Sequence, residues 1–425
     1  MLLRYWKLII VFAVFIIIPL SGVIAYRMNS DLRSWWNLPL ENRLLSIELE
    51  IERPFNHWFE SDIDEVIANE ITVDLLRNSM SLGASWIVNM QEASGRFNYW
   101  YHPPTNSLSN KNDDNFLRQA GTCYSLVSAF KVSGDSIFLK SAKKNLDYLL
   151  EFKKEKGPDT TYFLFDKKAK LGGIALPMLA MLELRKITGD TTNDHHLKSM
   201  ANMILYLQKI YDTGQFKSTY VYRGIYNYES LRKWESEIYP GEAMLALAEM
   251  YAIFQDGKYL KSIDWAYEFY SKDDNWKPHP FIPWSVSAFV RLYLETGTDK
   301  YSEFVFRMID RILYFQNLDP DDEVYGSLFS FPTVFTATYM EALGDAILLA
   351  KHLNDKKRLN EYSMKAKIGY RWLIKLQYSP EEVNSNGYER IAIGGFRTSF
   401  IGPEVRIDNT QHAISALSKG IKYVY

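Results

Sequence analysis

The chain has 425 residues and a formal net charge of −2, so it has no overall positive field that would gather nucleic acid. Hydrophobic residues make up 47 % of it and aromatic residues 15 %, which supports a large packed core and excludes a disordered chain. The single cysteine, Cys123, excludes an internal disulfide and the cysteine clusters of structural zinc sites.

Residues 1–30 are predicted to contain a membrane segment. Leu8 to Tyr26 is a run of nineteen uncharged residues, and a helix of that length is about as long as a bilayer's hydrocarbon core is thick. Arg4 and Lys7 precede the run, which favours a single-pass orientation with the globular part outside the cytoplasm. Val23-Ile24-Ala25 also resembles a signal-cleavage site, so a retained anchor and a cleaved signal both remain open.

Residues 31–70 include Trp35, Trp36 and Trp58 but show no clear hydrophobic period. They are predicted to form a linker with short helices. Residues 71–425 show a repeated helical pattern without a change in composition, which predicts one all-helical domain.

Six segments of this domain are amphipathic. Their apolar residues lie three and four positions apart with charged residues between them, which predicts helices that bury one face. We expect these to be outer helices, and they cover residues 75–91, 138–153, 196–211, 259–270, 301–316 and 358–378.

Six further segments alternate with these and contain few charges and many small residues. Helices that are apolar nearly all round are buried, and small residues let neighbouring helices approach closely. We expect these to be inner helices, and they cover residues 118–134, 171–189, 239–254, 283–297, 335–353 and 408–423.

Six alternating pairs predict a closed (α/α)6 toroid, because each hairpin buries its apolar face only against its neighbours. The turns from inner to outer helices are short and carry Gly134-Asp135 or Gly189-Asp190, whereas the connections from outer to inner helices are long. The long loops emerge where the amino termini of the inner helices converge. That face is therefore the predicted binding face.

Three outer helices end in a glutamine that is followed by a glycine-aromatic step, and these glutamines are expected to cap the helix ends. They are Gln91 before Gly95, Gln208 before Gly214 and Gln377 before Gly387. Together with the alternating helices, this pattern resembles the six-hairpin glycosidase superfamily and its relatives, among them the sugar epimerases. The resemblance is architectural, covers about residues 75–425, and implies a carbohydrate pocket at the loop face.

Sugar rings present apolar faces and hydroxyl rims, so their sites combine flat aromatic rings with carboxylates and arginines. The loop aromatics Tyr99, Trp100, Trp234 and Trp284 are predicted to contact such a ligand, although each could instead simply cover the core.

Tyr239 and Glu242 begin an inner helix around Pro240, which suits a first helical turn. Glu242 is predicted to act as a general acid if burial raises its pKa, or else to complement the helix dipole. Asp408 and His412 lie one turn apart on the last inner helix and are predicted to form an acid-base pair. Asp408 with Gln411 also fits a capping box.

Four further polar residues are predicted to bind substrate or to pair locally with acids: Asp114, Arg118, Arg397 and Arg406. Several arginines near one pocket would suit a uronic acid. His195-His196 opens an outer helix away from the pocket, and neither a metal nor another cofactor is expected.

Two classes of function fit these residues. The first is an envelope enzyme that acts on a polysaccharide or oligosaccharide, as a glycoside hydrolase with Glu242 and Asp408 or as an epimerase with His412 and Tyr239. The second is a non-catalytic glycan-binding or scaffolding subunit of an envelope assembly. The expected partners are a carbohydrate and a membrane but no nucleic acid, and the sequence leaves the oligomeric state undefined.

Overall fold

The computed structural model describes residues 65–222, 233–272, 275–328 and 334–425. The predicted membrane segment and residues 31–64 of the predicted linker lie outside these ranges. None of the helices in the described ranges combines the length and apolarity needed to cross a membrane. The first described element, helix α1 (Glu65–Asn69), lies in the predicted linker and packs beside an outer helix through a hydrogen bond of 3.0 Å from Lys367 to Asn69.

The six predicted outer helices are confirmed to within a few residues. Each carries exposed charges on one side and buries apolar residues on the other, as its spacing requires. They are α2 (Val73–Asn89), α4 (Ser136–Leu150), α6 (Asp194–Lys209), α8 (Gly257–Tyr270), α10 (Asp299–Leu313) and α12 (Lys356–Lys375).

The six predicted inner helices are confirmed as well, and most of their residues are buried. They are α3 (Phe116–Ser133), α5 (Gly172–Thr188), α7 (Lys233–Phe254), α9 (Ile282–Thr296), α11 (Thr336–His352) and, after the short α13 (Pro380–Ser385), α14 (Ile407–Lys419).

The predicted start of α7 is wrong. The helix begins at Lys233, so Pro240 lies well inside it instead of in its first turn. Glu235 stabilises the part of α7 that precedes the predicted start. It is fully buried and forms a 2.6 Å salt bridge with Lys170, which lies just before α5.

The inner helices close a ring. Each one packs against the next in chain order, and the last, α14, packs against the first, α3. The outer helices lie between and behind them, so the described residues form the predicted two-layer toroid. The central hollow is here the space that the six inner helices enclose.

Short turns join inner to outer helices as predicted. Gly134 and Gly189 adopt φ values of +74° and +70°, and each donates its N–H to the carbonyl four residues earlier. This left-handed conformation ends a helix at little cost only when the residue is glycine. Asp135 then caps α4 by accepting from the N–H of Ile137.

Glutamines at the ends of four outer helices link each of these helices to the next one around the ring. Gln377 donates to the carbonyls of Ser79 and Gly394, both at 2.9 Å, and accepts from the Ser79 hydroxyl at 2.7 Å. Gln91, Gln208 and Gln316 make equivalent bonds to their own loop and to the following outer helix.

These glutamines therefore link neighbouring outer helices in addition to capping helix ends. Gln316 is a fourth such glutamine, which the sequence analysis missed. Gln377 bonds the carbonyl of Gly394, which lies further along the chain than Gly387. A side chain at Gly394 would lie 2.4 Å from the carbonyl oxygen of Leu82, so only glycine lets this loop reach the neighbouring helix.

Gln377→Ala is expected to destabilise the protein by about 2 kcal/mol, because it leaves buried backbone carbonyls and the Ser79 hydroxyl without their partner. Urea unfolding measures the change. The control is Gln215→Ala at a half-buried loop position, which should change stability by less than about 0.5 kcal/mol. Equal stabilities of the two variants would show that Gln377 does not hold the ring.

Short strands line the loop face. Strand β1 (Trp100–His102) pairs antiparallel with β2 (Ser107–Leu108) and with β7 (Val405–Arg406), opposing Trp100 to Arg406. Strands β3 (Lys153–Gly157) and β4 (Thr160–Phe163) form a hairpin, and β5 (Lys168–Lys170) pairs with β6 (Thr219–Tyr222). Strands β5 and β7 directly precede inner helices, so both pairs lie at the mouth of the hollow.

Candidate active site

Two arginines and one aspartate meet where α3 and α14 begin. Arg118 Nε lies 3.1 Å from Asp408 Oδ2, and Arg406 donates through Nε to Asp408 Oδ1 at 2.9 Å and through a second nitrogen to Oδ2. Asp408 is 4 % exposed, whereas the arginine side chains remain 29 % and 27 % exposed. The arginine side chains are therefore the more exposed members of this triad, and the carboxylate is the buried one.

Burial alone would raise the pKa of Asp408, but the charges of Arg406 and Arg118 outweigh burial and hold that pKa well below its usual range. Asp408 is therefore ionised at neutral pH. Within the triad one carboxylate faces two guanidinium groups, and Glu404 lies close enough to Arg406 to contribute to the raised pKa of that arginine.

The predicted capping box at Asp408 is wrong. Arg406 occupies the cap position because its backbone is extended in β7, and Asp408 lies inside the first turn of α14. Gln411 is used elsewhere, since its side-chain oxygen accepts from the Thr122 hydroxyl of α3 at 2.8 Å.

Tyr99 joins this triad. The guanidinium of Arg406 lies 5.4 Å from the centroid of the Tyr99 ring, and burial next to Asp408 raises the pKa of the Tyr99 hydroxyl. Trp100 lies in β1 opposite Arg406, so its backbone helps to place that arginine at the mouth.

Among the residues that the structure describes, Glu242 of α7 is a buried carboxyl group without a charged partner in contact. It is 4 % exposed, and its Oε2 atom has no hydrogen-bond partner. A side chain at Gly172 would lie 2.2 Å from that oxygen, so the carboxyl packs on the first residue of α5. Burial raises the pKa of Glu242 to about 8, with Arg118 opposing the rise. The group is neutral and can donate a proton near neutral pH.

Tyr239 and Trp234 lie on the same helix as Glu242. Their ring centroids are 6.1 Å apart at 70°, and Tyr239 is 2 % exposed. Tyr239 contributes to the raised pKa of Arg118, which places this ring beside the triad. The Tyr239 ring and the Glu242 carboxyl both lie beside Gly172.

His412 pairs with Glu341 of α11, which sequence reasoning missed. Nδ1 of His412 lies 2.6 Å from Glu341 Oε1, and Glu341 is 6 % exposed. A carboxylate accepts the Nδ1 proton and leaves Nε2 as the basic nitrogen. The available signal for Glu341 was the presence of two acidic residues, Glu341 and Asp345, in a mostly apolar inner helix.

Trp284 flanks this pair, with ring centroids 6.4 Å from His412 and 6.2 Å from Tyr124. Tyr124 and Trp284 are half-buried although both lie on inner helices. Their residual exposure indicates that solvent reaches this depth of the hollow.

Glu341→Gln is expected to redistribute the His412 proton between its two ring nitrogens and to lower turnover about 100-fold, since a fixed tautomer is needed for general-base action. Side-chain nitrogen chemical shifts measured by NMR report the tautomer directly. The remaining histidine signals in the same spectrum serve as the control, and an unchanged His412 signal would refute the pairing.

Two predicted substrate-binding residues lie apart from this group. Asp114 accepts from the Tyr148 hydroxyl at 2.8 Å and from Gln119 at 2.7 Å, so it ties the first long loop to α4. Arg397 forms a salt bridge with Glu382 and lies 4.0 Å from the centroid of the Tyr378 ring. Both side chains are engaged in packing the loops around the outer layer.

Ion pairs join neighbouring inner helices in their carboxyl-terminal halves. Glu183 binds Lys131 at 2.6 Å and Lys186 at 2.7 Å, and Lys186 also binds Glu249 at 2.6 Å. Lys419 of α14 binds Asp345 of α11 at 2.6 Å. These pairs, here called the basal ion pairs, join neighbouring inner helices near their carboxyl ends, where lysines also complement the helix dipoles.

Across the described ranges, no cluster of three or more histidine, cysteine or acidic side chains is arranged to hold a metal ion. The expectations of no metal and no cofactor remain predictions. The side chains of the described site can transfer protons and stabilise charge.

No protein-family model matches the chain, and no curated protein sequence matches it significantly. Solved structures do match. A GH76 α-mannanase from Bacteroides thetaiotaomicron is 11 % identical, with 84 % of this chain and 98 % of that chain covered and a TM-score of 0.57. A sugar epimerase from a ruminal bacterium is 12 % identical, with coverages of 82 % and 99 % and a TM-score of 0.58.

An unsaturated glucuronyl hydrolase from Streptococcus agalactiae is also 12 % identical, with coverages of 87 % and 96 % and a TM-score of 0.56. The match to this chain covers almost the full length of each of these proteins. The predicted resemblance to the six-hairpin glycosidase-like toroids is thus confirmed as a likeness of fold.

Proposed function

We propose that the protein is a carbohydrate-active enzyme that acts on an acidic oligosaccharide or polysaccharide by acid-base chemistry in the central hollow. The observation that carries this proposal is the pairing of opposite environments in one site. Glu242 is buried without a charged contact, whereas Asp408 nearby is neutralised by Arg118 and Arg406. Two carboxyl groups whose environments push their pKa values apart are typical of acid-base sites.

An acidic sugar suits the charge of this site. Near neutral pH the triad has an excess positive charge and Glu242 is neutral. The amino termini of the inner helices converge on the same face, and their dipoles add positive potential there. A uronate carboxylate can accept hydrogen bonds from the exposed guanidinium groups in a geometry that arginine favours.

The proton-transfer roles follow from the contacts. Glu242 holds a proton that it can donate, and His412, oriented by Glu341, has a free Nε2 that can accept one. Removal of the proton next to the uronate carboxylate and reprotonation on the opposite face gives epimerisation, with Arg118 stabilising the developing charge. We propose that Asp408 holds the two arginines instead of serving as a second catalytic carboxylate.

Hydrolysis is the second candidate. Glu242 would protonate the glycosidic oxygen while His412 takes a proton from the attacking water, so that the sugar bond breaks and a new hydroxyl forms. The similar structures support both reactions for such a fold, since they include mannanases, glucuronyl hydrolases and a sugar epimerase.

One experiment separates these reactions. The purified full-length chain is incubated in deuterated buffer with acidic oligosaccharides, and reducing ends and deuterium incorporation are followed together. Deuterium without new reducing ends indicates epimerisation, and new reducing ends indicate hydrolysis. Binding without either reaction, unchanged in Glu242→Gln, would establish the alternative of a glycan-binding or scaffolding subunit and refute the enzymatic proposal.

We also propose that the protein works in the cell envelope, anchored by one membrane helix. This proposal is supported by the apolar run from Leu8 to Tyr26 and the basic residues before it. Protease added to intact cells should digest the globular part if it lies outside the cytoplasm. Protection of the whole chain would refute the proposal.

A further inference from the structure

The amino terminus of helix α5 is buried but has no side-chain cap. Leu171 stands at the cap position with helical backbone angles and makes no capping hydrogen bond, and the first turn contains no acidic residue. The N–H of Leu171 donates to the carbonyl of Ser218 at 2.9 Å, and that of Ile174 donates to the carbonyl of Leu171 at 3.0 Å. Among the described residues, nothing accepts from the N–H groups of Gly172 and Gly173, although both glycines are buried.

The carboxyl group of Glu242 is directed at this helix end. A side chain at Gly172 would lie 2.2 Å from Glu242 Oε2 and 2.7 Å from the Tyr239 ring, so this oxygen lies against the first residue of α5. Oε2 has no hydrogen-bond partner in the described part of the chain, and Glu242 is 4 % exposed. Buried polar groups and buried helix ends are nearly always hydrogen-bonded, to protein, water or a ligand. Two N–H groups and one carboxyl oxygen thus lie together without the partner that burial requires.

The chemistry of these groups defines the partner that they fit. Backbone N–H groups are donors only, and the amino terminus of a helix carries a partial positive charge that favours an anion. The protonated Glu242 carboxyl can also donate a hydrogen bond. Arg118 is close enough to Glu242 for its charge to oppose the rise in the pKa of that carboxyl, so a full positive charge is nearby. Several donors in a positive field suit an anionic acceptor such as a carboxylate.

We infer that the N–H groups of Gly172 and Gly173 and the Glu242 carboxyl, here called the α5 anion site, bind the carboxylate of an acidic sugar. The inference rests on the proposed function and adds to it the groups that receive the substrate's charge. One carboxylate oxygen lies at the start of α5, and the other faces Arg118. When His412 takes the proton next to this carboxylate, the electron pair left behind spreads onto the carboxylate oxygens, where the N–H donors stabilise it.

Gly172→Ala tests the α5 anion site, because the added methyl group would occupy the space between the helix end and Glu242 Oε2. We expect the affinity for glucuronate, measured by calorimetry with the full-length chain, to fall about 10-fold to 100-fold, as for lost hydrogen bonds to a charged group. The control is Gly83→Ala on α2, whose methyl is also crowded, at 3.1 Å from Phe396 and 3.3 Å from Ile414, but outside the site. Its affinity should stay within about threefold of that of the natural chain.

A second measurement on the natural chain does not depend on how the variant folds. The glycine amides are labelled with nitrogen-15, and NMR spectra are recorded during titration with glucuronate and, separately, with uncharged glucose. We expect the amide proton signals of Gly172 and Gly173 to move downfield with glucuronate only.

The outcomes separate the inference from the proposed function. Glucuronate binding that leaves both glycine signals in place, or that Gly172→Ala does not weaken, would overturn the inference and leave the proposed function intact. Equal movement with glucose would also overturn it, because the site would then not select an anion. Absence of both glucuronate binding and turnover of acidic oligosaccharides would refute the proposed function and the inference together.

Discussion

Replacement of Glu242 by glutamine is expected to abolish turnover and at the same time to stabilise the protein at neutral and alkaline pH. Loss of a general acid lowers rates by about 100-fold to 10000-fold. Glutamine has the same shape but cannot ionise, so ligand binding should persist. This combination of effects identifies a buried, functional acid.

The sign of the stability effect follows from the pKa. The Glu242 carboxyl has an ordinary value of 4.5, which burial raises to about 8 in the folded chain. Stability from the neutral form is therefore fully present below about pH 4.5 and is lost as the pH rises towards 8. Above that pH, the Glu242→Gln protein should be more stable than the natural chain by on the order of 4 kcal/mol.

Urea unfolding of both proteins across this pH range measures the effect. The control is Glu237→Gln on the same helix, where the side chain is half-buried and near Lys233, and its stability difference should not grow with pH. Parallel stability curves for Glu242→Gln and the natural chain would mean that Glu242 ionises normally, which would remove it as the general acid.

Asp408→Asn is expected to be the most destabilising of the single changes, by about 3 to 5 kcal/mol, because it leaves Arg118 and Arg406 partly buried without their anion. The loss should be largest at neutral pH. Since the low pKa of Asp408 means that its stabilisation is present above its ordinary range and is lost as the pH falls, natural chain and variant should converge in acid.

A matched comparison is available on the surface. Asp74 pairs with Arg77 at 3.2 Å, but its side chain is 81 % exposed, so Asp74→Asn should cost less than about 1 kcal/mol. Thermal unfolding compares the two variants. If Asp408→Asn lost activity but kept full stability, Asp408 would be a catalytic carboxylate, as the sequence first suggested, and not the anchor of the arginines.

Most of the fold could be predicted because its signals are local. Periods of three and four residues identified the outer helices, low charge and small residues the inner ones, and glycines such as Gly134 the turns between them. The start of α7 was misplaced because the proline rule is local, whereas the Lys170–Glu235 contact that extends the helix joins distant parts of the chain.

The site could be predicted only in part, because its pairings are set by the closure of the ring. The sequence placed Asp408 and His412 on one helix face and suggested that they pair. In the fold, Asp408 faces Arg118 of α3, whereas His412 faces Glu341 of α11. His412 and Glu341 are 71 residues apart, so no spacing in the sequence could have predicted that they pair.

The packing roles of Asp114 and Arg397 have the same origin. Both stand in loops near an aromatic residue, a setting that suits substrate binding and loop anchoring equally. Tyr148 and Glu382, which come from other parts of the chain, engage them in the outer layer. An arginine or aspartate that lies near a predicted pocket in the sequence is thus a weaker indicator of a functional site than a buried acidic residue such as Glu242, which has no charged contact among the described residues.

The most direct measurement is a crystal structure of the Glu242→Gln protein with a uronic acid disaccharide. We expect one sugar inside the ring, with its carboxylate bonded to Arg118 or Arg406 and its ring near Trp284 and His412. A ligand bound only on the outer surface, or a ring interior filled by side chains so that no sugar enters, would contradict the account.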